Sequence, residues 1–442
     1  MRYLPHTQED IKEMLDVVGV SSLDDLFDTI PASCRRTSPL NIPGPFGEWE
    51  LTRHMEGLAA KGGNDWNVFV GGGSQPHHIP TLVPYLSSRQ EFLTSYTPYQ
   101  PEMSQGTLQA IFEFQTLISR MVGVEITNAS MYDGSTAMAE GALMAQRVTK
   151  RSTLVISEAV HPHWREVLNT YLGPREDVEL ITLPLLPDGR TNLAALAQAK
   201  EPAALIMQSP NFLGVIEDVA AAADAIHKAG GLLVSGFSEA FALGLIKSPG
   251  SQGADVVYGE GQSLGLSQGF GGPTLGLLSC NMEHVRSFPG RLAGMTKDIE
   301  GKRGFVLTLS TREQHIRRSR AVSNICSNAG HCALTAAVFM AAIGGTGFRA
   351  MAQVNLDLAE YMKKGLIDAG FKAMGDAPTF NEFALKAPAH FREKHEKLKA
   401  KKILAGLPLA EWYPGLADCW LFGVTETKTR ADIDAFLSEV RQ

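Results

Sequence analysis

The sequence predicts an α/β protein whose mostly parallel sheet is covered by helices on both faces. Three observations carry this prediction. Short apolar runs that read as strands recur at 153–157, 179–183, 204–208, 232–235, 255–258 and 274–279. Helical patterns stand between several of them, notably 217–229, which stops at Gly230-Gly231 as helices commonly do. Finally, 442 residues are ample for a large core and imply two domains, with an arm besides.

In chain order, residues 7–30 read as helical, with Thr7 as N-cap and Glu9 and Asp10 in the first turn. Residues 31–47, rich in Pro, Ser and Gly, read as an extended arm. Residues 104–118 carry apolar side chains at helical spacing, so a helix starts soon after Pro101. Beyond the strand region an alanine-rich helix opens near residue 331. A loop with Pro378 and Pro388 follows, and a last helix begins near Thr429. The expected division is an N-terminal helical segment and arm (1–70), a large α/β domain (71–330) and a small C-terminal α+β domain (331–442).

Composition excludes some classes of function. A net charge of −7 with mixed signs argues against nucleic acid, and Arg317-Arg318-Ser-Arg320 is too short to form a basic patch. Five cysteines (34, 280, 326, 332, 419) without a Cys-x-x-Cys pair suggest neither a disulfide framework nor a zinc site. The N-terminus has no apolar h-region, and the longest apolar run, 333–343, is too short for a bilayer. The expectation is a soluble cytoplasmic protein with no membrane or nucleic-acid partner and no bound metal.

Several motifs could carry chemistry. Asp133-Gly134-Ser135-Thr136 opens a helix and reads either as an N-cap or as an anion-binding turn built from free amides, hydroxyls and the helix dipole. Gly261-Gln-Ser263-Leu-Gly265 has the spacing of a hydrolase nucleophile elbow, with Asp368 and His390 as conceivable partners. The elbow requires a helix after the serine, and the Gly- and Pro-rich stretch to Pro273 does not make one. Gly301-Lys302 lacks the rest of a phosphate loop, and Gly259–Gly261 lacks the third glycine of a dinucleotide fingerprint. His77-His78 follows a glycine-rich run and reads as a loop near a site rather than a metal pair. Tyr96-Thr-Pro-Tyr99-Gln100-Pro-Glu102-Met-Ser104-Gln105 crowds rigid and polar groups into a loop at a helix start. That suits capping and ligand binding about equally.

Taken together these segments resemble the glycine decarboxylase (P-protein) family of the glycine cleavage system, and within it the alpha chain, subunit 1, of the split two-gene form. The residues carrying the resemblance run in order through most of the chain: 94–106, Met131–Ala137, Gln208–Gly214, Gly259–Gly265, Gly269–Pro273, Asp298–Gly304 and Ser323–Cys326. The resemblance implies a pyridoxal-phosphate-transferase fold of the aspartate-aminotransferase type (fold type I). It also implies a beta partner, subunit 2, that binds pyridoxal phosphate covalently. The pair would decarboxylate glycine and pass the aminomethyl group to the lipoyl arm of the H-protein. The family's cofactor lysine would align with Ser263, and the strand 232–237, which would present a carboxylate to the pyridine nitrogen, has Gly236 and none. Lys247 and Lys297, the flanking lysines, sit at the wrong places to substitute. On this resemblance the chain has no catalytic residue of its own. Gly134, Ser135 and Thr136 form a vestigial anion loop, and Tyr96, Tyr99, Gln100, Glu102, Ser104 and Gln105 enter a site shared with the partner and bordered by His77 and His78. A scaffold without catalytic contribution is the alternative.

Overall fold

The computed structural model describes residues 5–36, 38–62, 65–93 and 96–441. It divides into two compact units, Met1–Asn64 and Asp65–Gln442. The first holds α1 (Gln8–Val18) and α2 (Glu48–Ala59). Thr7 and Asp10 cap α1 reciprocally: the Asp10 amide donates to the Thr7 hydroxyl at 3.2 Å and the Thr7 amide to the Asp10 carboxylate at 2.7 Å. Gly19, at φ 81°, ends α1, so the helix expected to reach residue 30 stops at 18. α2 follows the irregular 31–47 stretch.

The second unit runs β1 (Asn67–Phe69), α3 (Leu82–Ser87), α4 (Gln90–Leu93), α5 (Gln105–Val122), β2 (Ile126–Thr127), α6 (Gly134–Thr149), β3 (Thr153–Ser157), α7 (Pro162–Leu172), β4 (Glu179–Leu183) and β5 (Pro202–Gln208). It continues with α8 (Val219–Lys228), β6 (Leu232–Phe237), β7 (Val256–Glu260), β8 (Gly276–Cys280), the hairpin β9 (Leu292–Lys297) and β10 (Arg303–Thr308), then α9 (Gln314–Arg317) and α10 (Gly330–Asp368). The C-terminal part adds β11 (Lys372–Ala373), β12 (Glu382–Lys386), α11 (Phe391–Ala400), β13 (Ile403–Ala405), β14 (Leu407–Pro408), β15 (Cys419–Gly423) and α12 (Arg430–Arg441).

Seven strands form one sheet in the order β2-β8-β7-β6-β5-β3-β4. The five from β3 to β7 are parallel, while β8 runs antiparallel to β7 and β2 to β8. β5, β7 and β8 are buried along their whole length, which explains their unbroken apolar runs. Ala142, Trp164 and Leu168 from α6 and α7 pack with one set of strand side chains, including Ile206 and Val234. Phe114, Ile226 and Phe339 from α5, α8 and α10 pack with the other, including Leu205 and Leu233. This is the two-faced sheet that the alternating pattern predicts.

A four-stranded antiparallel sheet, β11-β12-β15-β14, carries a separate core with α10, α11 and α12, where Met362, Phe383, Phe422 and Phe436 meet. Phe69 of β1 belongs to that C-terminal core and stacks on Phe436 at 4.3 Å. α10 is long and apolar enough to cross a membrane by composition. It is broken at Gly344 (φ 58°), however, and its halves bury Phe339 and Leu358 in the two different cores. None of the five cysteines forms a disulfide; Cys280, Cys332 and Cys419 are buried.

Candidate functional site

Ligands of open parallel sheets gather beyond the carboxyl ends of the strands, where β3, β6 and β7 here release their chains. α6 starts there, and its cap is Asp133. The Asp133 carboxylate accepts from the Thr136 amide at 2.9 Å and, in a short contact, from the Ser135 hydroxyl. Glu260, at the end of β7, accepts from the amide of Gly134 at 3.0 Å and from those of Leu275 at 3.0 Å and Gln262 at 3.1 Å. Burial pushes the Glu260 carboxyl up to about 7 despite these donors. Two protein carboxylates therefore occupy donors that a bound phosphate would need.

Neighbouring positions are filled as well. A Cβ on Gly236 would collide with the ring of Tyr258, 2.2 Å from its nearest atom, and the Tyr258 hydroxyl donates to the Met207 carbonyl at 2.9 Å. His161, after β3, stacks on Trp164 at 5.6 Å, meets Phe212 edge-on at 4.7 Å, and pairs its Nε2 with the Gly72 carbonyl at 3.1 Å. Burial lowers its pKa to about 4, so the ring is neutral. Ser263 is buried in a tight turn, accepts from the Ala240 amide at 3.3 Å and faces the Glu239 carboxylate. No helix follows it directly and neither Asp368 nor His390 is among its partners, so the hydrolase elbow is not built. Lys247 and Lys297 are both exposed.

His77 lies between two carboxylates. Its Nε2 is 2.9 Å from Glu239 and its Nδ1 3.0 Å from Glu426, with only 1% of its side chain exposed. Burial alone would depress the imidazole, but the glutamates outweigh it and raise the pKa to about 10. Both glutamates are held below the usual carboxylate range: burial opposes ionisation, and the His77 charge overcomes it. Asn355 of α10 donates to Glu426 at 2.8 Å. His77 is thus an ionic tie between the loop after β6 and the stretch after β15. His78 is exposed, with its amide donating to Glu426 at 2.7 Å. Both ring nitrogens of His77 are engaged, which leaves no lone pair for a metal.

The 96–105 loop hangs on two anchors. Gln105 clasps β10 like an extra strand residue: its side chain accepts from the Phe305 amide at 2.9 Å and donates to the Phe305 carbonyl at 2.9 Å and the Pro101 carbonyl at 2.6 Å. Arg291 donates to the Tyr99 hydroxyl at 2.9 Å and to Thr97 at 3.2 Å. Tyr96 (86% exposed), Gln100 and Glu102 face solvent, and Ser104 makes no side-chain cap bond. A cavity of about 140 Å³ lies under the loop, lined by Phe92, Tyr96, Pro98, Ile111, Phe114 and His331. Ligand pockets for cofactor-sized molecules run ~300–1,000 Å³, so this one suits a few atoms. Thr94 and Ser95, part of the loop motif, lie outside the described residues.

Sequence reasoning missed Glu239, Glu426 and Arg291, because each acts mainly through partners distant in the chain, and it passed over Glu260 although that residue lies within the Gly259–Gly265 motif. Taken together, this chain's own residues do not fit pyridoxal phosphate. Ser263, the position at which the resemblance implies a lysine, offers no amine, Tyr258 fills the space beside Gly236, and Glu260 and Asp133 take the amides of Gly134 and Thr136.

The chain matches the family described as "Glycine cleavage system P-protein" over residues 1–440. It is 51% identical to "Probable glycine dehydrogenase (decarboxylating) subunit 1" of Desulfotalea psychrophila, covering 100% of this chain and 99% of that one. The crystal structure of a glycine decarboxylase (P-protein) of the glycine cleavage system superimposes with TM-score 0.87 at 43% identity, covering 100% and 99% of the two chains. A cysteine desulfurase from Thermococcus onnurineus, at 16% identity and TM-score 0.61 over 86% of this chain and 94% of that one, shares the fold alone. The fold is that of the pyridoxal-phosphate transferases of type I, and the chain belongs to the glycine cleavage system P-protein family.

Proposed function

We propose, from membership of that family, that the chain is subunit 1 of a two-chain glycine decarboxylase whose partner, subunit 2, binds pyridoxal phosphate. The cofactor supplies an electron sink when bound to the partner. This chain holds a second copy of the frame with its pocket closed by its own side chains, and it lends the 96–105 loop to the partner's site. Glycine loses CO2 there, and the aminomethyl group passes to the lipoyl arm of the H-protein. Tyr96 and Tyr99 line the path of glycine or the lipoyl arm, and Gln105 fixes their loop. The reaction belongs in the cytoplasm.

The observation carrying this reading is that, within a P-protein frame, Glu260 and Asp133 accept from the Gly134 and Thr136 amides that a phosphate would use. The test uses the co-purified pair. Borohydride should trap cofactor on the partner and none on this chain, and Tyr96→Phe or Tyr99→Phe should lower turnover with assembly intact. Cofactor trapped on this chain would sink the division of labour. Unchanged turnover in both variants would leave a scaffold.

A further inference from the structure

Arg291, just before β9, is only 5% exposed and is the junction of three segments. Its Nη2 donates to the Tyr99 hydroxyl at 2.9 Å and to the Cys326 carbonyl at 2.7 Å. Its Nη1 donates to Thr97 at 3.2 Å, to the Ser327 hydroxyl at 3.0 Å and to Asn328 at 3.5 Å. Glu313 balances the charge, 3.8 Å from Nε, and the guanidinium lies 5.3 Å from the Tyr99 ring centre. Arg312 offers a contrast. It is also buried, yet it donates only to the backbone carbonyls of Leu309 at 3.1 Å and Gly290 at 2.9 Å, so it steadies the chain next to Arg291 and reaches no loop side chain.

A guanidinium can only donate. The Tyr99 oxygen must therefore accept from Arg291, and its own proton is left to give to something else. More than half of Tyr99 is exposed. We propose that Arg291 is a positioning residue for the shared site: it pins the 96–105 loop to residues 326–328 and fixes Tyr99 as a hydrogen-bond donor toward an acceptor on the small substrate, a carboxylate being the fitting class. The inference rests on the shared-site reading above. A lysine cannot replace this geometry, because one ammonium nitrogen cannot serve Tyr99 and Cys326 as Nη2 does and Thr97 and Ser327 as Nη1 does at the same time.

The experiment compares Arg291→Lys, Tyr99→Phe and the double variant in the assembled pair, reading kcat and KM for glycine and hydrogen exchange across 96–103. Each single change should raise KM about tenfold, as loss of a hydrogen bond to a charged group does. The double variant should be no worse than either single one, since Arg291 acts through Tyr99. Arg291→Lys should also speed exchange in the loop by about tenfold, and Tyr99→Phe much less. Multiplicative losses in the double variant, or loop exchange unchanged by Arg291→Lys, overturn the proposal. If Tyr99→Phe leaves both kcat and KM for glycine unchanged, the donor role of Tyr99 is refuted, and the shared-site reading falls with it only if Tyr96→Phe is also without effect. Loop exchange in Arg291→Lys decides the pinning separately, faster exchange supporting it and unchanged exchange refuting it. Should Arg291→Lys fail to assemble, Thr97→Val removes one arm without stranding a charge. Faster loop exchange in that variant supports the pinning, and unchanged exchange refutes it.

Discussion

Replacing His77 by leucine should be the most damaging single change to the stability of this chain outside its apolar cores. The wild-type imidazolium is buried between Glu239 at 2.9 Å and Glu426 at 3.0 Å. Leucine preserves the bulk against Phe241, whose ring lies 4.8 Å from the imidazole, and removes the charge that, among the described residues, neutralises the two carboxylates. Breaking a buried ion pair from one side costs about 3–5 kcal/mol. The raised pKa gives a consistent scale, since a shift from 6.5 to about 10 corresponds to about 5 kcal/mol.

The pH dependence has a definite sign. The His77 pKa is higher in the folded state, so its contribution is complete below pH 6.5 and is lost as pH climbs towards about 10. Glu239 and Glu426 are depressed below 4.5, so theirs is complete above 4.5 and is lost as pH falls. In His77→Leu the stranded carboxylates gain by taking up protons instead. The stability gap should therefore be widest near neutral pH and narrow towards pH ~5. Urea unfolding midpoints of both proteins across that range measure it, with hydrogen exchange at 71–78 reporting the local loss. A gap under about 1 kcal/mol at neutral pH, or one that does not change with pH, would refute the ionic tie.

Two further outcomes concern the residues around Gly236 and Glu260. Gly236→Asp, which restores the carboxylate expected of a cofactor-binding relative, should not create a cofactor site. Its Cβ collides with Tyr258, so a loss of about 3 kcal/mol or more is expected in thermal unfolding. Glu260→Gln should flatten the stability profile between pH 4.5 and 7. In the wild type the folded pKa of about 7 lies above the unfolded 4.5, so stability falls through that window by about 3 kcal/mol as pH rises, and an amide has nothing to ionise.

Burial on both faces made β3 legible as a continuous apolar run, and 153–157 matches it residue for residue; 179–183 matches β4 as well, although that edge strand buries only Leu183. Elements held by long-range pairing were not legible. The β9–β10 hairpin has no two-residue turn signal, and β1 is three residues long and gains its meaning from pairing with β13, more than three hundred positions later. The same limit applies at the site. Gln105 could be guessed from its place in a crowded loop, but nothing near Arg291 distinguishes it from Arg312, and only folding brings Tyr99, Thr97 and Cys326 onto its two nitrogens.

By itself, then, the sequence determined the α/β frame, the family resemblance and the absence of a lysine at 263, because these rest on local pattern and residue identity. The tertiary structure decided what surrounds Gly236 and the start of α6, since Tyr258, Asp133 and Glu260 reach them from separate elements. It also decided that His77 is a buried cation rather than a surface ligand, because a histidine's charge is set by the carboxylates that folding places around it.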